Sequence, residues 1–282
     1  MKKSTKIAVV TATLLILSGI LLFGGALKMV NFDFKNLSTV EYEDTAHEIK
    51  DDFSNISVKS DTASITFLQS TDGNCRVECY EEKNAKHTVN VNGDTLEITM
   101  VNEKKWYEHI GINFVSPKIT VYLPKTEYSA LSVISHTGAV SLCKEMNFQN
   151  VDISVTTGWV NLANITADKD INLSVTTGEA NLASITCRNL VSSGDTGNIN
   201  FKNVIASEKL SVERSTGDVT FDRCDAAEII VKTSTGSVSG SLLSGKTFVA
   251  ETSTGRISLP KDSEGGRCEI RTSTGNIKIT VD

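Results

Sequence analysis

Asp218, Asp222 and Asp225 crowd one short stretch of this 282-residue chain. Paired carboxylates are what glycoside cleavage requires, one as acid and the other as base or nucleophile. Here they spread along one repeat, with no acidic residues at matching positions of the repeats on either side. No long loops are present to wall a cleft around them. A nucleophile elbow, a phosphate-binding loop and a dinucleotide fingerprint are also missing. A polysaccharide-degrading enzyme is therefore only a remote alternative, and the sequence predicts no catalysis and no cofactor.

Metal and disulfide chemistry come next. The cysteines are Cys75, Cys79, Cys143, Cys187, Cys224 and Cys268, and the histidines are His47, His87, His109 and His136. There is no CxxC pair and the histidines are scattered, so the pattern predicts no metal site. An even cysteine count in an exported chain invites disulfides. Cys75 and Cys79 on one strand would nonetheless sit about 13 Å apart along it, too far to bridge without a bend. Cys224 and Cys268 fall in inward-facing columns, where cysteine acts as a small hydrophobe.

Binding chemistry has more to offer. Trp106 and Tyr107 stand among charges in Asn102–His109, a loop that could contact lipid headgroups or a ligand, or fold its aromatics back as a hairpin tip. Trp159 could stack on a sugar ring. Asn161, Asn181 and Asn200 carry amides that match sugar hydroxyls, or else form side-chain ladders on a solvated face. These six residues are the candidate ligand contacts.

What positions the last four is a repeat. Gly138, Gly158, Gly178, Gly197, Gly217, Gly236, Gly255 and Gly275 each follow a threonine, at spacings of 19 or 20 residues. A fixed period of that length marks units stacked on one another. Seven positions before each glycine stand Leu131, Val151, Ile171, Leu190, Leu210, Ile229, Phe248 and Cys268. Apolar residues recur five before (Ser192 excepted), two after and four after (Gly240 excepted). Period-2 alternation on both flanks predicts strands with one buried face. The expected fold is all-β, a parallel β-solenoid with coils of about 20 residues. Each threonine shares the parity of the buried columns, which predicts an internal threonine ladder and argues against an outward ice-binding array.

Toward the N-terminus, Lys2, Lys3 and Lys6 precede an uncharged run from Ile7 to Leu27. That length suits a membrane span, and the basic flank places the N-terminus in the cytoplasm. An uncleaved anchor is expected; the alternative is a cleavable signal with Gly24 and Ala26 before the cut. Four of the 28 Lys and Arg lie in the first 28 residues, leaving 24 against all 34 Asp and Glu, a formal charge of −10. Such an ectodomain is unsuited to nucleic acid. The organisation expected is residues 1–6 a cytoplasmic tip, 7–30 the span, 31–50 a tether, 51–130 a β region starting or capping the stack, and 131–282 the eight repeats. Asn92-Gly93 predicts a hairpin. The final strand, Ile277–Val281, shows no evident cap; Lys278 and Asp282 could discourage edge pairing, or a partner could add there.

The strand Ile119-Thr120-Val121-Tyr122-Leu123-Pro124, followed by Thr-Gly-x-apolar turns, resembles the bacterial "putative adhesin" β-strand-repeat family over about residues 50–282. That resemblance implies a cell-surface β-solenoid of unknown function and carries no site residues over. The expected role is an extracellular binding or scaffold protein of the cell envelope, with wall or extracellular glycan or protein as partner. The alternative is a regulatory module of an envelope-stress system that acts on a membrane partner.

Overall fold

The computed structural model describes residues 3–29, 31–32, 40–102, 115–261 and 264–282. It forms two units, Met1–Tyr42 with Lys104–Ser116, and Glu43–Glu103 with Pro117–Asp282. In the first unit, helix α1 covers Lys3–Met29, and its Thr5–Met29 portion is long and apolar enough to cross a membrane. Within the helix Thr11 donates to Ile7 O and Thr13 to Val9 O.

The rest is all-β. The strands are β1 (Tyr42–Ile49), β2 (Asn55–Ser60), β3 (Ser64–Gln69), β4 (Cys75–Glu82), β5 (Ala85–Asn92), β6 (Thr95–Asn102), β7 (Lys118–Leu123), β8 (Glu127–Leu142) and β9 (Met146–Ala167). They continue with β10 (Asp170–Thr177), β11 (Ala180–Thr196), β12 (Ile199–Thr216), β13 (Val219–Thr235) and β14 (Val238–Leu242). The last are β15 (Lys246–Thr254), β16 (Ile257–Ser258), β17 (Gly266–Thr274) and β18 (Ile277–Val281). β1 lies in the stretch read from sequence as a tether, and it pairs with β4.

From β8 to β13 each repeat pairs in parallel with the next, in the register set by the Thr-Gly period: Val151 with Ile171, Ile171 with Leu190, Leu190 with Leu210 and Leu210 with Ile229. All of these side chains are buried, as are Val160, Ala180, Ile199 and Val219 on the second flank. Burying each larger apolar side chain contributes roughly 1.5–3 kcal/mol. A further corner follows six residues after the turn. There Asn164, Ser184, Asn203 and Arg223 all take the left-handed conformation, with φ from 51° to 58°. This corner resets the alternation, so that Ile165, Ile185, Val204 and Cys224 also point inward.

The turn glycines are fixed by close approach. A Cβ on Gly178, whose φ is +141°, would lie 1.5 Å from the carbonyl oxygen of Gly158, and the other turn glycines meet the neighbouring layer at 1.8–2.5 Å.

The threonine expectation is corrected: all eight turn threonines are exposed. The residue before each of them also faces solvent or is half-buried. The chain is already turning there, so strict alternation, a property of extended strand, ends at the position three before the glycine. Inner threonines do occur at that position late in the chain. Thr272 and Thr252 donate to the carbonyls of Gly236 and Gly275 at 2.9 and 3.0 Å.

Both ends depart from chain order. Residues 228–235 of β13 pair with β17, and β14 pairs with β18. β15 and β16 then add to the far side of β17 and β18. The last repeat thus sits between the two that precede it. The strand expected as an edge, Ile277–Val281, has β14 along one side and β16 against Ile277 and Lys278 on the other, and β15 and β16 are outermost among the described residues. At the other end, β2 and β3 lie between β8 and the β6–β7 layer. β5 joins β6 through the Asn92-Gly93 hairpin, and β4 runs antiparallel to β7. These pairings close a ring of seven strands, β2–β6–β5–β4–β7–β3–β8, where a uniform stack would begin open.

Candidate functional site

The corner just before each turn glycine carries a repeated, exposed surface. Thr137, Thr157, Thr177, Thr196, Thr216, Thr235, Thr274 and Thr254 follow one another in that spatial order, each in register with the next. Adjacent layers of a sheet lie about 4.8 Å apart, so the hydroxyls recur at that spacing. Beside them run His136, Thr156, Thr176, Asp195, Ser215, Ser234, Ser273 and Ser253, which doubles the ladder with mostly hydroxyl groups. Both columns sit on a bend, so they diverge instead of forming the flat face of a single strand.

Past the glycine the sequence candidates appear. Trp159 is 55% exposed, next to the corner. Asn161, Asn181 and Asn200 are half-buried and bonded to one another: Asn181 Nδ2 donates to Asn161 Oδ1 at 3.2 Å, and Asn200 Nδ2 to Asn181 Oδ1 at 2.9 Å. Asn200 also donates to Glu179 Oε1 at 2.8 Å. The structure therefore brings Trp159 and the three asparagines together on one flank of the threonine corner. Trp106 and Tyr107 lie outside the described residues.

The aspartates first weighed for catalysis are held apart. Asp218 accepts from the Ser237 amide at 2.7 Å, Asp222 pairs with Lys202 at 3.3 Å, and Asp225 accepts from Lys246 at 2.6 Å. Burial opposes ionisation of Asp225, but bonds from Lys246 and Ser244 outweigh it and hold the carboxyl below its ordinary range. A depression of about 630 Å³ runs past Asp51, Asp52, Phe53 and Tyr128.

The one polar break in the buried column five before the glycine is explained by Arg214, whose side chain is directed into the interior. Its guanidinium donates to Val175 O at 3.0 Å and to Ser192 Oγ at 3.3 Å. A Cβ on Gly194 would lie 2.0 Å from it, so Ser192 and Gly194 together make room for the cation. Burial pulls the Arg214 pKa below its usual value.

Inside the seven-strand ring lies a second buried polar group that the sequence did not signal. Cys79 and Glu81 alternate onto the same face of β4, and the β4–β5 hairpin folds His87 back against them. His87 Nδ1 and Glu81 Oε2 are 2.8 Å apart, and the His87 amide donates to the same oxygen at 2.6 Å. Thr45 donates to Glu81 Oε1 at 2.8 Å, and Ser60 Oγ meets His87 Nε2 at 3.1 Å. Burial first, then the Glu81 charge, pushes the Cys79 thiol up to about 12, so its resting form is the protonated thiol. All six cysteines are free, five of them buried and Cys143 exposed.

Against known proteins, a family model described as Toastrack DUF4097 matches residues 53–182 and again 166–282. No curated protein matches the chain. A crystal structure of a "putative adhesin" from Bacteroides fragilis NCTC 9343 has a TM-score of 0.55 at 20% identity, covering 85% of this chain and 97% of that one. A "putative lipid binding protein" from Parabacteroides distasonis ATCC 8503 also reaches 0.55, at 16% identity, covering 84% and 97%. Likeness at these identities concerns the fold alone. The two family matches together run from the start of the seven-strand ring to the last residue, and the chain belongs to the Toastrack DUF4097 family.

Proposed function

We propose that this chain is a single-span envelope protein whose second unit is a parallel β-solenoid with coils of about 20 residues, acting as a non-catalytic binding surface. The basic cluster Lys2, Lys3 and Lys6 at the start of α1 puts the N-terminus in the cytoplasm and the strands outside the cell. The partner class is a repeating extracellular polymer, a wall or surface glycan. The observation that carries this reading is the eightfold threonine ladder, exposed and in register, with Trp159 and the asparagines on its flank. Hydroxyls and amides at a fixed spacing match the hydroxyls of a polymer with its own repeat, and an exposed indole gives a stacking platform. The aspartates that could have served an enzyme are each tied into separate structural bonds.

The test is retention of the full-length protein on purified wall polymer. Replacing Thr157, Thr177 and Trp159 together by alanine is expected to weaken binding at least tenfold with melting unchanged. Undiminished binding by that variant would remove the ladder as the site.

A second reading, a regulatory module that engages a membrane protein, is favoured by the outermost strands. Val249 on β15 is 46% exposed and Ile257 on β16 is 45% exposed, on layers open to strand addition. Crosslinking in intact cells separates the two. Capture of one membrane protein at residues 246–258, with no polymer bound, would replace the first reading by the second.

A further inference from the structure

We propose that Cys79, Glu81 and His87 form a zinc site inside the seven-strand ring. Cys79 Sγ, a Glu81 carboxylate oxygen and a His87 ring nitrogen all lie within 4.8 Å of one another, and all three residues are buried. Thiolate, imidazole and carboxylate are the three side-chain ligands zinc takes, at about 2.0–2.3 Å, which places ligand atoms roughly 3.3–3.8 Å apart in a tetrahedron. Separations of up to 4.8 Å would close by about an ångström around the ion, while His87 Nδ1 and Glu81 Oε2, 2.8 Å apart, would open by roughly half an ångström.

Two further contacts resemble the outer shell that metal sites need. A ligating histidine is generally held through its other ring nitrogen, and a ligating carboxylate through its other oxygen. Here Ser60 Oγ stands 3.1 Å from His87 Nε2, and Thr45 Oγ1 donates to Glu81 Oε1 at 2.8 Å. Both leave the inward pair, His87 Nδ1 and Glu81 Oε2, aimed at each other across 2.8 Å. Zinc would enter between these two atoms.

Charge favours a divalent ion. Cys79 gives up its thiol proton to solvent as the sulfur–zinc bond forms, and His87 binds through Nδ1 as the neutral ring, its one proton on Nε2 toward Ser60 Oγ. One thiolate and one carboxylate then balance Zn²⁺, so the occupied site is neutral. That matters in an interior where an uncompensated charge is expensive. The fourth position goes to water. With its ligands buried between β1, β2, β4 and β5, the ion is captured as the hairpin folds, linking metal binding to the stability of the ring.

The experiment uses full-length protein in detergent, unfolded in chelator and refolded with Zn²⁺ alone or Co²⁺ alone. One equivalent of zinc retained through dialysis is expected, together with a sulfur-to-cobalt charge-transfer band in the Co²⁺ form. Cys79→Ala should abolish that band, and His87→Gln should lower zinc affinity at least 100-fold. Ser60→Ala should weaken it roughly 10–100-fold, as loss of an outer-shell partner does. Cys187→Ala, at a buried thiol in the repeats, should change nothing. Folded wild type that retains no zinc, or a Co²⁺ spectrum without the thiolate band, would overturn the proposal. Should Cys79→Ala fail to fold, the wild-type cobalt spectrum and His87→Gln still decide.

Discussion

The two ends of this stack solve one problem in opposite ways. A parallel ladder that simply stopped would leave a row of unpaired backbone groups. At the N-terminal end the β4–β5–β6 antiparallel strands bend the ladder round until it meets itself, with buried polar side chains inside. At the C-terminal end no such antiparallel strands close the ladder among the described residues. The last repeat tucks inward and β15 and β16 remain outermost, with Val249 and Ile257 half in solvent. Closure needed residues outside the repeat pattern; the open end is built from repeats alone. A repeat specifies its neighbours well and its own termination poorly.

That contrast can be pressed experimentally. The largest effect belongs to the interior, where layers touch most closely. Gly178→Ala, whose new Cβ would sit 1.5 Å from Gly158 O, is expected to cost about 3–5 kcal/mol by thermal or denaturant melting. Gly93→Ala, in the hairpin of the closed end at φ +59° with open space around it, should cost only about 1–2 kcal/mol. Equal losses would mean that backbone angle, and not layer contact, fixes the glycines.

The interleaving at the open end is tested by deleting residues 262–282. Lys246–Thr254 remains in such a chain, but its partner strand β17 is gone. Hydrogen exchange should then show β15 exchanging like unfolded chain while β9–β12 stay protected. A protected β15 would mean it packs on β13 directly.

The smallest effect is electrostatic. Asp225, held below its ordinary range through Lys246 and Ser244, contributes stability present above pH 3.8 and lost as pH falls through its folded value. Asp225→Asn should therefore lower the melting temperature at neutral pH and make it less sensitive to acid below about pH 4. An acid profile unchanged by the substitution would show that the bond at 2.6 Å adds nothing.

Much of this was legible in the chain. The apolar columns, the Thr-Gly period and Asn92-Gly93 are local signals, and local chemistry decided them. The facing of the threonines was not legible, because alternation holds only while the backbone is extended, and Thr157 and its counterparts stand on the bend. The corner at Asn164, Ser184, Asn203 and Arg223 carries no glycine to announce it. Layer order at the ends was hidden for a different reason: equal repeats fit one another in any order, so the pattern cannot tell 6-7-8 from 6-8-7. At the candidate surface, Trp159 and the asparagines were visible as a flank, and the hydroxyl ladder beside them was misassigned to the interior. Cys79 and Glu81 share a strand face by simple alternation, but His87 joins them only through the hairpin.

The tucked last repeat also bears on how such a chain changes length over generations. In the middle, between Gly158 and Gly217, the strands of each repeat pair with those of its predecessor and successor in sequence, though the Arg214 side chain reaches one layer further, to Val175 O. A duplicated unit inserted there finds compatible neighbours on both sides. A copy appended after Asp282 would start from the layer that β14 flanks on one side and β16 on the other. Growth of the stack by tandem duplication is thus confined to its interior, and the two termini are inherited as fixed pieces.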